Sequence, residues 1–127
     1  MSAPGVSRLL RFVQFPAFAR DWQRLRLGDE ALQALERGLI ESPDKGVVIA
    51  RTGGLRKLRF APPGSGRGKS GAYRVCYAYF PVYGTIALFV IFGKNERSDL
   101  SAAEARATAK ALKAFETELR RELERLR

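Results

Sequence analysis

Histidine is absent from this 127-residue chain, and cysteine, methionine and tryptophan occur once each. Without histidine there is no Ser–His or Cys–His nucleophile pair, no imidazole general base and no histidine-rich metal site. A single cysteine excludes an internal disulfide framework and a multi-cysteine zinc site. Cys76, set between Val75 and Tyr77 in an apolar strand pattern, reads as a small buried hydrophobe. No apolar run approaches the ~20 residues of a membrane-crossing helix; the longest, TIALFVIF at 85–92, has the length of a strand. The opening MSAPGVSRLLRF lacks the continuous apolar core of an export signal, which predicts a cytoplasmic protein with no membrane association. Chemistry, if there is any, has to run on Lys, Arg, Tyr, carboxylates and backbone, and no cofactor is expected.

The most localised absence is of acid. No Asp or Glu occurs between Asp44 and Glu96, while Lys45, Arg51, Arg56, Lys57, Arg59, Arg67, Lys69, Arg74 and Lys94 all fall there. The whole chain carries 23 Lys and Arg against 13 Asp and Glu, a formal charge of +10, and this span supplies nine of the ten. Charge confined to one stretch produces a local field that attracts polyanions, nucleic acid first among them. Lysines and arginines on an edge strand also prevent sheet-to-sheet aggregation, which accounts for Lys57 or Arg59 singly. It does not account for a span without one acid, because solvated surfaces normally mix both signs.

Length and composition, 46% apolar with 10% aromatic, suit one domain over residues 1–127 with a real core. LLRFVQF at 9–15 is extended in character and ends at Pro16, whose fixed backbone angle suits the first position of a helix. Phe18, Trp22, Leu25 and Leu27 then follow helical spacing. Gly28 with Asp29 breaks the run and caps a second helix, EALQALERGLIE, with Leu32, Leu35, Leu39 and Ile40 on its buried face. Strands are expected at 46–50, 55–60, 72–80 and 85–93, joined as antiparallel neighbours, with PVYG at 81–84 as a hairpin turn. APPGSGRGKSG between the middle two predicts a mobile basic loop carrying Arg67 and Lys69. Ser101 and Glu104 form a capping-box signature ahead of a long helix, whose apolar stripe runs through Ala105, Ala109, Leu112, Phe115, Leu119, Leu123 and Leu126. The fold class is therefore α+β: a small twisted, mainly antiparallel sheet packed with an N-terminal helical hairpin and a C-terminal helix.

Strand alternation puts Arg56, Leu58 and Phe60 on one face and Leu55, Lys57 and Arg59 on the other. On the following strand Arg74 shares a face with Cys76 and Ala78, opposite Tyr73, Val75 and Tyr77. Lys57, Arg59 and Arg74 can thus form one cationic patch.

Three pieces, RTGGLRKLRF at 51–60, GRGKSGAYRVCYAY at 66–79 and GTIALFVIFGKNERSDLS at 84–101, resemble in order and spacing the RelE/ParE superfamily of type II toxin–antitoxin toxins, most closely its HigB-type branch. The resemblance implies a RelE-like fold and a toxin that acts as a ribosome-dependent mRNA interferase. Such an endoribonuclease cuts mRNA in the ribosomal A site by driving the ribose 2′-OH onto the adjacent phosphate, and so inhibits translation. Matched residue by residue, it implies catalytic roles for Lys57, Arg59, Arg74, Lys94 and Glu96, and RNA or ribosome contacts for Arg56, Arg67, Lys69, Tyr73 and Asn95. Arg74 would clamp the phosphate; the 2′-OH proton would pass to Lys57, its neutral amine favoured by the crowded cations, or to Glu96. Asn95 and Ser101 stand where RelE itself has an arginine and a tyrosine. The implied partners are a cognate antitoxin of helix-turn-helix type, the 70S ribosome with 16S rRNA and mRNA, and operator DNA through the antitoxin complex. Two other functions stay open: a ParE-like inhibitor of DNA gyrase, and a noncatalytic basic RNA-binding domain.

Overall fold

Pro16 opens the first helix as its ring geometry requires, and the strand before it is held by Phe15 N–H donating to the Leu88 carbonyl at 2.9 Å. The computed structural model describes residues 9–64, 72–93, 95–96 and 100–127. Along these run β1 (Arg11–Gln14), α1 (Pro16–Arg24), α2 (Gly28–Glu41), β2 (Val47–Val48), β3 (Arg56–Phe60), β4 (Tyr73–Phe80), β5 (Thr85–Gly93) and α3 (Ala102–Arg125). The described residues thus form an α+β arrangement, one five-stranded mixed sheet of order β1-β5-β4-β3-β2 with three helices. β1 lies parallel to β5, and the other pairs are antiparallel. None of the described helices is long and apolar enough to cross a membrane.

Each sheet face has its own core. On one, Val75, Tyr77, Ile86, Leu88 and Ile91 pack beneath Phe18 and Trp22 of α1 and Leu35 and Leu39 of α2. Trp22 stacks between Phe18 and Phe60 at centroid distances of 5.3 and 6.0 Å. On the other, Cys76, Ala78 and Phe92 meet Leu112 of α3 and Leu55, which precedes β3. Phe115 extends this second core by edge contacts with Phe15 and Phe80 at 5.3 and 5.5 Å.

A bulge in β5 decides what faces where. Cys76 pairs with Val90 but Tyr77 with Leu88, so Phe89 is the extra residue and the alternation of β5 reverses there. Ile86, Leu88 and Ile91 consequently share the α1/α2 face, and Phe92 turns to the α3 face.

Several sequence expectations need correction. The second helix begins at Gly28 after Leu27 with no side-chain cap, rather than at Glu30 behind Asp29. Leu25 ends α1, and its closing turn carries Arg26 at φ 57°. Leu27 N–H reaches the Trp22 carbonyl at 3.3 Å and Arg26 N–H the Gln23 carbonyl at 2.9 Å, the paired bonds of a Schellman ending. Ala31 is more deeply buried than Leu32 or Ile40. The strand expected at 46–50 shrinks to Val47 and Val48, both exposed. Gly46 lies outside that strand, its N–H donating to the Tyr77 hydroxyl and its carbonyl accepting from Arg56 Nη1, and a Cβ there would lie 2.8 Å from the Tyr77 ring and 3.0 Å from Arg56 Cβ. The capping box is realised in full, with Glu104 N–H donating to Ser101 Oγ at 3.1 Å and Ser101 N–H to Glu104 Oε1 at 2.9 Å. Leu123 and Leu126, at the end of the α3 stripe, are exposed.

Candidate anion-binding site

The register between β3 and β4 assembles the patch. Arg59 stands directly opposite Arg74, and Arg74 stands opposite Phe92 of β5, so the three form one row across the sheet. Lys57, Cys76 and Val90 form the next row on the same face. That face is the one α3 packs against, through Cys76, Phe92 and Leu112. Lys57 and Arg74 are half-buried and Arg59 is exposed. The floor is therefore apolar and the rim cationic, a setting in which a bound anion is partly shielded from water.

Neither arginine forms an ion pair among the described residues. Arg74 Nη1 donates to the carbonyl of Ala72, at the start of its own strand, at 3.0 Å. Directly opposed like charges destabilise an antiparallel pair by about 0.2–1 kcal/mol. An anion bound between the two guanidinium groups would turn that repulsion into attraction, and the planar forks suit paired oxygens of a phosphate.

Arg56 is brought elsewhere. It pairs with Tyr77 in register, on the α1/α2 face, and its Nη1 donates to the carbonyls of Asp44 at 2.9 Å and Gly46 at 2.8 Å. It thus ties down the connection from α2 to β2. Tyr77 does the same from below, its hydroxyl donating to the Pro43 carbonyl at 2.8 Å while accepting from Gly46 N–H at 2.9 Å. Burial pushes the Tyr77 hydroxyl upward from its ordinary value. Tyr73 lies in the same core, 8% exposed, on the face away from the cations. A base could not stack on it without displacing core.

Glu96 closes the turn after β5. Its N–H donates to the Gly93 carbonyl at 3.0 Å, and its Oε1 accepts from Gly93 N–H at 2.7 Å. Arg24 of α1 grips the same carboxylate, Nη1 to Oε2 at 2.7 Å and Nη2 to Oε1 at 3.1 Å. The hydrogen bond from Arg24, then that from Gly93, holds Glu96 below the usual carboxylate range. Such a carboxylate is a poor proton acceptor and a good brace, and it leaves exposed Asn95 at the tip of a fixed turn. Asp21, gripped by Arg20 and Arg24, is likewise lowered and extends the network. Arg20, Asp21, Arg24, Glu96, Ile91, Phe92 and Glu104 border a depression of about 430 Å³ at this end of the sheet. Arg24 was not singled out in the sequence; its only signal there is a basic residue at the end of a helix, which says nothing of a partner 72 positions away. Lys94, Arg67 and Lys69 lie outside the described residues.

Among the described residues no three His, Cys, Asp or Glu side chains gather in a way that could hold a metal ion. Compared with models of known protein families, the chain matches none.

Proposed function

We propose that this chain is the toxin of a type II toxin–antitoxin module, a ribosome-dependent mRNA interferase of RelE-like fold. The observation that carries the reading is the Arg59–Arg74 opposition on the α3 face, with Lys57 in the adjoining row and no carboxylate paired to either arginine among the described residues. The likeness of the three motif segments to the HigB-type branch supports it.

In the proposed step the ribose 2′-oxygen attacks the adjacent phosphorus and the bond from phosphorus to the 5′-oxygen breaks. A 2′,3′-cyclic phosphate and a 5′-hydroxyl result. The 2′-OH proton passes to a base at the site, the role assigned to Lys57 in the adjoining row, and the departing 5′-oxygen takes a proton from a neighbouring cationic group or water. Charge gathers on the non-bridging oxygens as the phosphorus becomes five-coordinate, so preplaced guanidinium groups stabilise that state more than the substrate. Arg74, half-buried at the centre of its row, is the principal clamp. Arg59 and Lys94 supply further positive charge, Asn95 a polar contact to RNA, and Glu96 holds its turn. A cognate antitoxin and the ribosome are the partners this reading calls for.

The test is primer extension on a defined mRNA with purified protein, with and without programmed ribosomes, beside Arg74→Ala. Cleavage within A-site codons only when ribosomes are present, reduced about 10²–10³-fold in the variant, is expected from the loss of one transition-state donor. No cleavage by the folded protein in either condition would sink the proposal and make DNA gyrase inhibition the next assay.

A further inference from the structure

A second group of cations lies apart from the sheet arginines. Arg106, Lys110 and Lys113 occupy positions i, i+4 and i+7 of α3, all exposed, with no acid between Glu104 and Glu116. At 1.5 Å per residue they rise about 6 and then 10.5 Å along one stripe. The buried side of the helix is set by Ala105, Thr108, Leu112 and Leu119, which leaves that stripe facing away from the core. Ala109, between Arg106 and Lys113, packs on the loop joining β2 and β3, where its Cα lies 3.4 Å from where a Gly53 Cβ would be. Arg51, exposed and two residues from that contact, holds φ at 66°, a left-handed backbone that costs a residue with a side chain. Arg51 and the three helix cations form no ion pair among the described residues.

We infer that the outer face of α3, with Arg51 at its flank, is a docking surface for the phosphate backbone of a double-helical RNA segment. The composition of the face selects that partner. The residues interleaved with the cations are Ala103, Ala107 and Ala114, too small to hold a charged backbone at a distance. No aromatic side chain is among them, so the face lacks the stacking platform by which proteins hold unpaired bases. It also lacks the bulky apolar residues that sink a basic helix into a lipid surface. What remains is a row of point charges on a rigid rod, suited to sequence-independent contact with the phosphates of a duplex. The choice of RNA over DNA rests on the proposed function; the cationic surface itself does not.

The test is fluorescence anisotropy of the full chain with a blunt-ended RNA duplex of mixed sequence, run beside one of its strands, the matching DNA duplex and vesicles containing phosphatidylglycerol. The variant carries Arg106→Gln, Lys110→Gln and Lys113→Gln together. Glutamine keeps helix propensity at exposed positions, and circular dichroism checks that the fold is retained. RNA-duplex affinity at about 0.1 M salt should fall at least tenfold, and the slope of log affinity against log salt should flatten by about 2–3. Single-strand affinity should change less. Unchanged duplex affinity and slope in the folded variant would overturn the inference, as would tighter binding to the DNA duplex or to vesicles that the triple substitution removes. Because cleavage is read separately with Arg74→Ala, a chain that binds duplex through α3 but never cuts on ribosomes would refute the proposed function and leave this surface standing.

Discussion

Arg59 and Arg74 face each other across the β3–β4 ladder, one exposed and one half-buried, and no described carboxylate neutralises either. A pair of this kind costs the apo fold stability and yields a return only when an anion lies between. Arg59→Thr, which keeps a good strand former, should therefore stabilise the folded chain by about 0.5 kcal/mol. The same change should weaken RNA binding and lower cleavage. Urea unfolding and RNA titration on one preparation check both signs; a loss of both stability and binding would contradict the relationship.

Arg56 is one residue from Lys57 and three from Arg59, yet its guanidinium is spent on the carbonyls of Asp44 and Gly46. Arg56→Ala should cost about 1–2 kcal/mol of stability, as hydrogen bonds from a charged donor are lost. Affinity for RNA per folded molecule should hardly move. Tyr77→Phe should cost about 1–3 kcal/mol, because the buried Gly46 N–H loses its acceptor. Gly46→Ala should be worse than either, since the new methyl meets the Tyr77 ring with no room to move. Chemical denaturation of the three variants would order them.

Arg26 holds a left-handed backbone at the end of α1, where Schellman endings ordinarily place glycine. Arg26→Gly should raise stability by about 0.5–1 kcal/mol, the relieved strain outweighing the entropy gained by the unfolded chain. The midpoint of thermal unfolding should rise by about 2–5 °C. A fall would mean that the Arg26 side chain contributes more to the fold than its backbone costs.

Much of this architecture was legible in the sequence because it rests on local rules. Pro16 starts α1, Ser101 and Glu104 start α3, and period-two alternation separated Arg56 from Lys57 and Arg59. Whatever depended on contacts distant in sequence was not legible. Residues 46–50 look like a strand, but Gly46 and the Arg56 guanidinium hold the approach to it as a loop. The parallel pairing of β1 with β5 joins segments some 70 residues apart. The bulge at Phe89 reverses the faces of β5, so counting by twos from Ile86 would bury Phe92 among the α1 and α2 residues when in fact it adjoins Arg74. Tyr73 is the opposite case: the resemblance implies an RNA contact for it, but strand alternation alone sets it on the face opposite Arg74, and it is buried in the core that holds Trp22 and Phe60.

Glu96 offers the sharpest separation between a chemical and a mechanical role. The Arg24 hydrogen bond, then the Gly93 N–H, lowers its carboxyl from the ordinary value of 4.5. A carboxyl lowered on folding stabilises the fold above its unfolded pKa, and that contribution is lost as pH falls through the folded value. Stability should accordingly decline below about pH 4.5, and the decline should be shallower in Glu96→Gln, with the remainder coming largely from Asp21, which is lowered in the same way. Arg24 and Glu96 are 47% and 38% exposed, so solvent screening keeps their coupling small. A double-mutant cycle with Arg24→Gln and Glu96→Gln should return a small favourable coupling, the double variant losing less than the sum of the two single ones because each also gives up a partner of its own, Asp21 for Arg24 and Gly93 N–H for Glu96. On the proposed cleavage a brace and a base diverge. If Glu96 accepted the 2′-OH proton, Glu96→Gln would abolish the acidic limb of the rate–pH profile and Arg24→Gln would not. If it braces the turn bearing Asn95, both variants should lose a similar, modest factor, below about tenfold, and keep the wild-type profile.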